Sequence, residues 1–200
     1  PSPLQYQAPA FDKIHNEDFQ PAIEEGMRLQ LVEAATIAAD TAPPTFDNTI
    51  VALERSGQLL TRANNVFQSL TQANTNDTLQ RLQTEIAPRL AAHSDAIRLN
   101  PALFARIKAL HDTRTTLGLD SVQQFLVERY YKDFVRSGAL LSEPDKTRLR
   151  ALNEQEARFS TDFQIRLLAA SKAGGLVISD KAELAGLSEN STNSLTTRVA

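Results

Sequence analysis

Residues 45–77 contain the pattern that most constrains how this chain can fold. Their sequence is TFDNTIVALERSGQLLTRANNVFQSLTQANTND, and its apolar residues recur at steps of three or seven, at Ile50, Leu53, Leu60, Phe67 and Leu70. This spacing places them on one face of an α-helix, with Asp47 and Asn48 as the predicted N-cap residues. The stretch therefore predicts a long helix that buries one face against other helices.

Gly57 lies inside this pattern, where a glycine costs about 1 kcal/mol relative to alanine. Such a glycine marks either a kink or the close approach of a neighbouring helix. Because the apolar spacing continues in phase on both sides of Gly57, we predict close packing rather than a kink.

Five further segments show helical spacing, and short polar or proline-containing turns separate them. They begin near Asn16 to Ala22, at Thr75 or Asn76, at Pro101, at Asp120 and Ser121, and at Ser142. Turns of this length join antiparallel helices in bundles. The pattern predicts an all-α fold of about six helices in antiparallel hairpins, with at most one short strand near residues 176–178.

The longest pattern begins at Ser142, which can form a capping-box-like pair with Asp145. Its apolar positions are Leu149, Leu152, Phe159, Phe163 and Leu167, and it runs to about Ser171. The domain organisation predicted from these patterns has three parts. Residues 16–187 form one helical lobe, residues 1–15 an extended lead-in, and residues 188–200 a frayed or disordered tail.

Composition excludes several classes of function. The net charge is -3 and the pI about 5.7, and the lysines and arginines form no basic block, which argues against nucleic-acid binding. No apolar run approaches the roughly 20 residues of a membrane-spanning helix. With no cysteine, the chain has neither a disulfide nor a thiolate metal site.

The titratable residues show no pattern typical of a catalytic or metal site. The candidates considered are His15, His93, His111, Glu24, Glu25, Glu154 and Glu156. No two histidines are four apart, so a His-Glu-x-x-His zinc helix is absent. His93 falls on an apolar helical stripe, which favours a structural role, and acids close together on one helix are typical of solvated faces. We predict no catalytic, cofactor-binding or metal-binding residue in this chain.

Two other features have structural interpretations. Tyr130 and Tyr131 lie between Arg129 and Lys132, and helical spacing predicts one tyrosine in the core and the other near the surface. Gly174 and Gly175 follow a helix rather than a strand, which favours a helix C-cap over a phosphate-binding loop.

Several segments together resemble the amino-terminal part of bacterial peptidyl-dipeptidases (dipeptidyl carboxypeptidases) of the thimet oligopeptidase and oligopeptidase A family. They are FQPAIEEGM (19–27), PTFDNTIVALERSGQLLTR (44–62), TQANTND (71–77), AAHSDAIRLNPALFARI (91–107), LGLDSVQQFLVERYYKDFV (117–135) and LLAASKAGGLVISDKAELAGLSE (167–189). No single segment is diagnostic, but their order and spacing match the family over most of residues 4–189.

This resemblance implies a part of a two-lobed, mostly helical zinc metallopeptidase that hydrolyses short peptides and releases carboxy-terminal dipeptides. In that family a His-Glu-x-x-His helix and a downstream glutamate, both in the carboxy-terminal part, hold the zinc. None of those residues is present here, so the resemblance implies no cofactor in this chain. The implied partners are the missing catalytic part and, for the full enzyme, short peptides in a cleft that this lobe walls. Relatives are typically cytoplasmic, and a periplasmic location stays open.

Residues 190–200, NSTNSLTTRVA, depart from the family pattern, and we expect truncation rather than a new role. The chain alone is expected to be inactive and to expose a large apolar patch. The alternative is a stand-alone helical protein-interaction module derived from a truncated peptidase.

Overall fold

Helices make up the regular structure of the described part of the chain. The computed structural model describes residues 4–174, 178 and 180–195, and no strand is present among them. The helices are α1 (Phe19–Ala39), α2 (Ala52–Arg55), α3 (Gln58–Ala73), α4 (Asp77–Arg98), α5 (Pro101–Thr113), α6 (Ser121–Arg136), α7 (Glu143–Ala173) and α8 (Glu189–Leu195). A six-residue π-helical turn, Phe46–Val51, leads directly into α2. The predicted all-α fold is confirmed.

The chain folds as two units, Pro1–Phe163 and Gln164–Ala200. The first unit contains α1 to α6 and the first part of α7. The second contains the last part of α7, a 3-10 turn at Lys181–Leu184, and α8. All of the packing described below belongs to the first unit.

Two apolar clusters form the core of the first unit. One lies where α1, α3 and α4 meet and consists of Phe19, Ile23, Met27, Leu60, Phe67, Leu79, Leu82 and Ile86. The other joins α5 and α6 to α1, α2 and the π-helical turn, and consists of Ile37, Ile50, Leu53, Leu103, Phe104, Ile107, Leu110, Val127, Phe134 and Ala139. Burial of each large apolar side chain contributes about 1.5–3 kcal/mol. Four of the five stripe residues predicted within 45–77, from Ile50 to Phe67, are therefore core residues.

Polar side chains cap the helices close to the predicted positions. Asn76 accepts a hydrogen bond from the Leu79 N–H at 3.0 Å, and Asp120 accepts one from the Gln123 N–H at 2.8 Å. The predicted cap at Asp47 and Asn48 is wrong by two to three residues. Thr45 is the N-cap, because its hydroxyl accepts from the Asn48 N–H (3.1 Å) while Asn48 Oδ1 accepts from the Thr45 N–H (2.7 Å).

Gly57 interrupts the predicted long helix, and the prediction of close packing without a kink is wrong. The residue has φ +69° and separates α2 from α3. Its N–H donates to Glu33 Oε2 at 2.7 Å, and a Cβ at this position would collide with the side chain of Gln30. The close approach of two helices occurs at Gly26 instead, where a Cβ would lie 2.7 Å from Leu60 Cα.

Arg106 on α5 fixes the segment that joins α1 to the π-helical turn. Its side chain is 7% exposed, and Nη1 donates to the main-chain oxygens of Asp40 (2.6 Å) and Ala42 (3.0 Å). Nη2 donates to Asp40 Oδ2 (3.2 Å) and Asn48 Oδ1 (3.0 Å). One planar guanidinium therefore serves main-chain and side-chain acceptors on both sides of the loop.

The apolar positions of the last two long helices are less buried than their spacing suggests. On α6, Val122 is 73% and Phe125 66% exposed; on α7, Phe159 is 71% exposed. Tyr130 and Tyr131 are both half-buried against the same cluster, so the predicted division into one core and one surface tyrosine is wrong. A helical period reveals an apolar face without showing what covers it.

Short helical elements lie near both ends of the described part of the chain. Short 3-10 turns at Gln5–Gln7 and Phe11–Lys13 occur within the predicted extended lead-in. Helix α8 occupies part of the predicted tail, and residues 196–200 lie outside the described part. Most of the strand-like triplet 176–178 also lies outside it; Ile178 has no assigned element.

Candidate functional site

A polar pocket of about 470 Å³ opens between α1, α2, α4 and α6. Its lining residues are Gln30, Leu53, Glu54, Ser56, His93, Ser94, Ile97, Arg98, Leu126, Arg129, Tyr130, Asp133 and Phe134. Leu53 and Phe134 are core residues, so the floor of the pocket is continuous with the packed interior.

His93 and Gln30 form the most buried polar pair in the pocket wall. His93 is 8% exposed, and its Nε2 lies 2.7 Å from Gln30 Oε1. With an amide oxygen as acceptor, Nε2 carries the hydrogen of the neutral ring. Nδ1 is then a buried acceptor without a partner. Burial lowers the pKa of His93, because the charged imidazolium loses hydration.

Gln30 also connects this pair to the kink at Gly57. Its Nε2 lies 3.5 Å from Ser56 Oγ, which donates to the Leu53 main-chain oxygen at 2.7 Å. The hydroxyl of Ser56 is therefore committed to the end of α2 and has no histidine as a base. The unpartnered Nδ1 of His93 is buried and does not meet this hydroxyl, so this wall has no nucleophile–base pair.

Tyr130 and Glu54 form the opposite wall. Tyr130 donates its phenol hydrogen to Glu54 Oε1 at 2.7 Å. Burial, reinforced by this hydrogen bond, raises the pKa of Tyr130, so the phenol remains a donor. Arg98 and Arg129 bring guanidinium groups to the rim, and Arg129 forms a loose ion pair with Asp133 at 3.7 Å. These groups are suited to binding a polar molecule rather than to transforming one.

The other two histidines lie apart from the pocket. His111, on α5, stacks on Tyr131 with ring centroids 3.9 Å apart, and its Nδ1 is 3.3 Å from Asp112 Oδ1. His15 lies before α1, and its main-chain N–H donates to Asp18 Oδ2 at 2.8 Å. The three histidines therefore occupy three separate places in the fold.

The acidic candidates are engaged in local pairs along their helices. Glu24 pairs with Arg89 and accepts from Gln20, and these hydrogen bonds, Gln20 first, lower its pKa. Glu25 pairs with Arg28 at 2.7 Å. On α7, Glu154 pairs with Arg158 at 2.6 Å, and Glu156 accepts from Ser160 at 2.8 Å. Each acid has its own neighbour, and no two converge on a common point.

The described residues do not fit a zinc ion. Across residues 4–174, 178 and 180–195, no three histidine or acidic side chains lie close enough together to hold a metal. No helix in that same part is long and apolar enough to cross a membrane.

Sequence reasoning missed the pairs that build the pocket. Gln30 and His93 are 63 residues apart, and Glu54 and Tyr130 are 76 apart. Only the apolar stripe around His93 carried a signal, and it indicated burial without indicating the partner. The remaining pairings depend on how the helices pack.

Comparison with known proteins gives a consistent set of relatives. The chain is 48% identical over 188 residues to dipeptidyl carboxypeptidase of Escherichia coli (strain K12), and 49% identical over 187 residues to that of Salmonella typhimurium. Each alignment covers 94% of this chain and 28% of the relative. Oligopeptidase A of Escherichia coli is 22% identical over 185 residues, which are 92% of this chain and 27% of that protein. No protein-family model matches the chain.

The aligned region is the amino-terminal 28% of dipeptidyl carboxypeptidase. The chain thus spans a little over a quarter of the length of the curated relatives it matches.

Proposed function

Because this chain corresponds to the amino-terminal part of the family of dipeptidyl carboxypeptidase and oligopeptidase A, we propose that it is the non-catalytic helical part of a zinc metallopeptidase. The proposed parent enzyme removes dipeptides from the carboxyl ends of short peptides. One observation carries this proposal: 48% identity over 94% of the chain to a dipeptidyl carboxypeptidase. An alignment over 188 residues spans most of the helices described above, which supports the same helical lobe in both proteins.

The chemistry of the proposed enzyme belongs to residues beyond this chain. The described histidines and acids do not fit a zinc site, and we assign none of them a step in hydrolysis. In the proposed enzyme the zinc is held by the carboxy-terminal part, where it supplies the electrophile and the activated water. The contribution of this chain is shape.

Its own residues are suited to a rigid wall. Arg106 fixes the loop after α1 through four hydrogen bonds, and Gly26 allows α1 and α3 to pack backbone against backbone. A wall held in this way limits the cleft to short, unfolded peptides, which are the proposed substrates. The proposed location is the cytoplasm, with the periplasm as the alternative.

A second candidate is a stand-alone interaction module. The exposed aromatic side chains Phe159 and Phe163, 71% and 65% accessible, favour a surface that another protein covers. This candidate predicts a stable complex between the purified chain and a separate protein, whereas the first predicts that the covering part belongs to the same enzyme.

A chimera separates the two candidates. The amino-terminal 28% of Escherichia coli dipeptidyl carboxypeptidase is replaced by this chain, and release of dipeptides from a short peptide is measured with and without a chelator. We expect a chelator-sensitive activity in the chimera and none in the 200-residue chain. A folded but inactive chimera, or hydrolysis by the chain alone, would contradict the proposal.

A further inference from the structure

Residues 143–163, the part of α7 that belongs to the first unit, have one face turned towards that unit. Lys146 is 4% and Thr161 5% exposed, and Asn153 Nδ2 donates to the buried Asp95 Oδ1 at 2.8 Å. At about 100° per residue these three positions fall on one side of the helix. The Asn153–Asp95 hydrogen bond joins this side of α7 to α4.

A different face of α7 is apolar and exposed. Leu152, Phe159 and Phe163 are 52%, 71% and 65% accessible. Helical geometry places them within about 40° of one another, and about 80–180° away from the anchored positions. We call these three residues the outer stripe. The helix is thus anchored along one side and apolar along another.

The chemistry of the outer stripe restricts what can cover it. Arg148 and Glu156 lie beside it, one of each sign, and Glu156 accepts a hydrogen bond from Ser160. A surface without excess positive charge does not attract polyphosphates or anionic lipid headgroups. Apolar residues spaced by four and seven on a helix match the ridges and grooves of another helix. The fitting partner is an apolar helix.

The size of the relatives indicates where that helix comes from. Residues aligned with this chain make up only 28% of dipeptidyl carboxypeptidase. The rest of such an enzyme is joined covalently to this lobe. A helix of that part therefore meets the outer stripe at an effective concentration of about the millimolar range. A second copy of this chain would compete from free solution only at similar concentrations.

We propose that the outer stripe of α7 is the docking face for an apolar helix of the carboxy-terminal part of the same enzyme. In this arrangement α7 is packed between its own lobe and the catalytic part. The inference rests on the proposed function and adds to it the residues through which the two parts meet. It makes Leu152, Phe159 and Phe163 the contacts that join a non-catalytic lobe to the catalytic part.

Hydrogen exchange in the chimera described above tests the docking face. Amide exchange across residues 148–163 is compared between the chimera and the 200-residue chain, together with dipeptide release and sedimentation of the free chain. The test variant is Phe159→Glu with Phe163→Glu. The matched control is Phe125→Glu, because Phe125 on α6 is 66% exposed but lies outside the outer stripe.

We expect exchange in 148–163 to be at least about tenfold slower in the chimera than in the free chain. The double variant is expected to remove this protection and to lower the thermal midpoint of the chimera, while leaving the midpoint of the free chain unchanged. The Phe125→Glu control is expected to keep the protection.

The outcomes distinguish the two proposals. An active chimera whose 148–163 exchange matches the free chain, or is unaffected by the double variant, overturns the docking face and leaves the proposed function standing. The free chain could instead form a dimer that the double variant dissociates and that protects the amides of residues 148–163 as the chimera does. This result shows that a second copy is the occupant, and it overturns the docking face. A chimera that lacks activity contradicts the proposed function, and with it the docking inference.

Discussion

Nε2 of His93 on α4 lies 2.7 Å from Oε1 of Gln30 on α1, and the same glutamine side chain fills the space where a Cβ on Gly57 would stand. One half-buried amide therefore joins two helices and supports the kink between α2 and α3. This arrangement makes the stability of the lobe depend on the charge of a single imidazole.

The first prediction concerns that imidazole. Burial lowers the folded-state pKa of His93 below its ordinary value of 6.5. The unfolded chain then binds the proton more readily than the folded chain does. The neutral, buried His93 therefore makes its full contribution to stability above about pH 6.5, and this contribution is lost as pH falls towards the folded-state pKa. Urea unfolding at pH 7.5 and pH 5 should show a smaller loss of stability on acidification for His93→Gln than for the wild type.

His15→Gln is the control for this measurement, because His15 is exposed. It should unfold as the wild type does at both pH values. Equal acid sensitivity in His93→Gln and the wild type would contradict the role given to His93.

The second prediction concerns Gly26. A Cβ there would lie 2.7 Å from both Cα and N of Leu60, so Gly26→Ala must move one helix backbone. We expect a loss of about 1–3 kcal/mol in the free energy of unfolding, typical of overpacking. Denaturant midpoints measure it.

Ala35→Gly calibrates the helix propensity at an exposed position of α1, where glycine should cost about 1 kcal/mol. If Gly26→Ala raises the free energy of unfolding by the amount that Ala35→Gly lowers it, the inferred close approach of α1 and α3 is contradicted.

The third prediction concerns Arg106. Replacing it by methionine leaves the main-chain oxygens of Asp40 and Ala42 without their donors. We expect the free energy of unfolding to fall by about 1–3 kcal/mol. Arg106→Lys should recover only part of it, since an ammonium lacks the planar fork. Arg28→Met, in an exposed pair with Glu25, should change the thermal midpoint much less, and an equal change would refute the special role of Arg106.

The fourth prediction concerns Asp95, which titrates in the opposite sense to His93. Burial raises its pKa above the ordinary 3.8, partly offset by the hydrogen bond from Asn153 and the charges of Arg150 and Arg98. Its contribution to stability is present below pH 3.8 and is lost as pH rises through the folded-state pKa. The stability of Asp95→Asn relative to the wild type should therefore increase between pH 3.5 and pH 7 in thermal unfolding, and a constant difference would argue against a buried carboxylate.

Local patterns predicted the helices well where the physics is local. Asn76 and Asp120 cap α4 and α6 because a side-chain oxygen reaches an N–H only three residues away. The same local reasoning misplaced the cap of the π-helical turn, since both Thr45 and Asn48 can accept such bonds. It also gave the wrong prediction for Gly57, because an apolar spacing that continues in phase gives no indication of a positive φ.

The candidate site could not be predicted, since its pairs join distant segments. Nothing near Gln30 in the sequence indicates His93, and nothing near Glu54 indicates Tyr130. Even the identification of a buried histidine on the stripe of α4 left open which side chain would accept its hydrogen bond.

By itself the sequence determined the helical class, most helix ends, the missing zinc motif and the family to which the segments correspond. These follow from spacing, capping and residue identity along the chain. Tertiary structure decided that Gly26 rather than Gly57 is where two helices meet, that Gln30 accepts the hydrogen bond of His93, and that Phe159 and Phe163 are exposed. The physical reason is that a helical period defines a face, whereas burial of that face depends on which other helix packs against it.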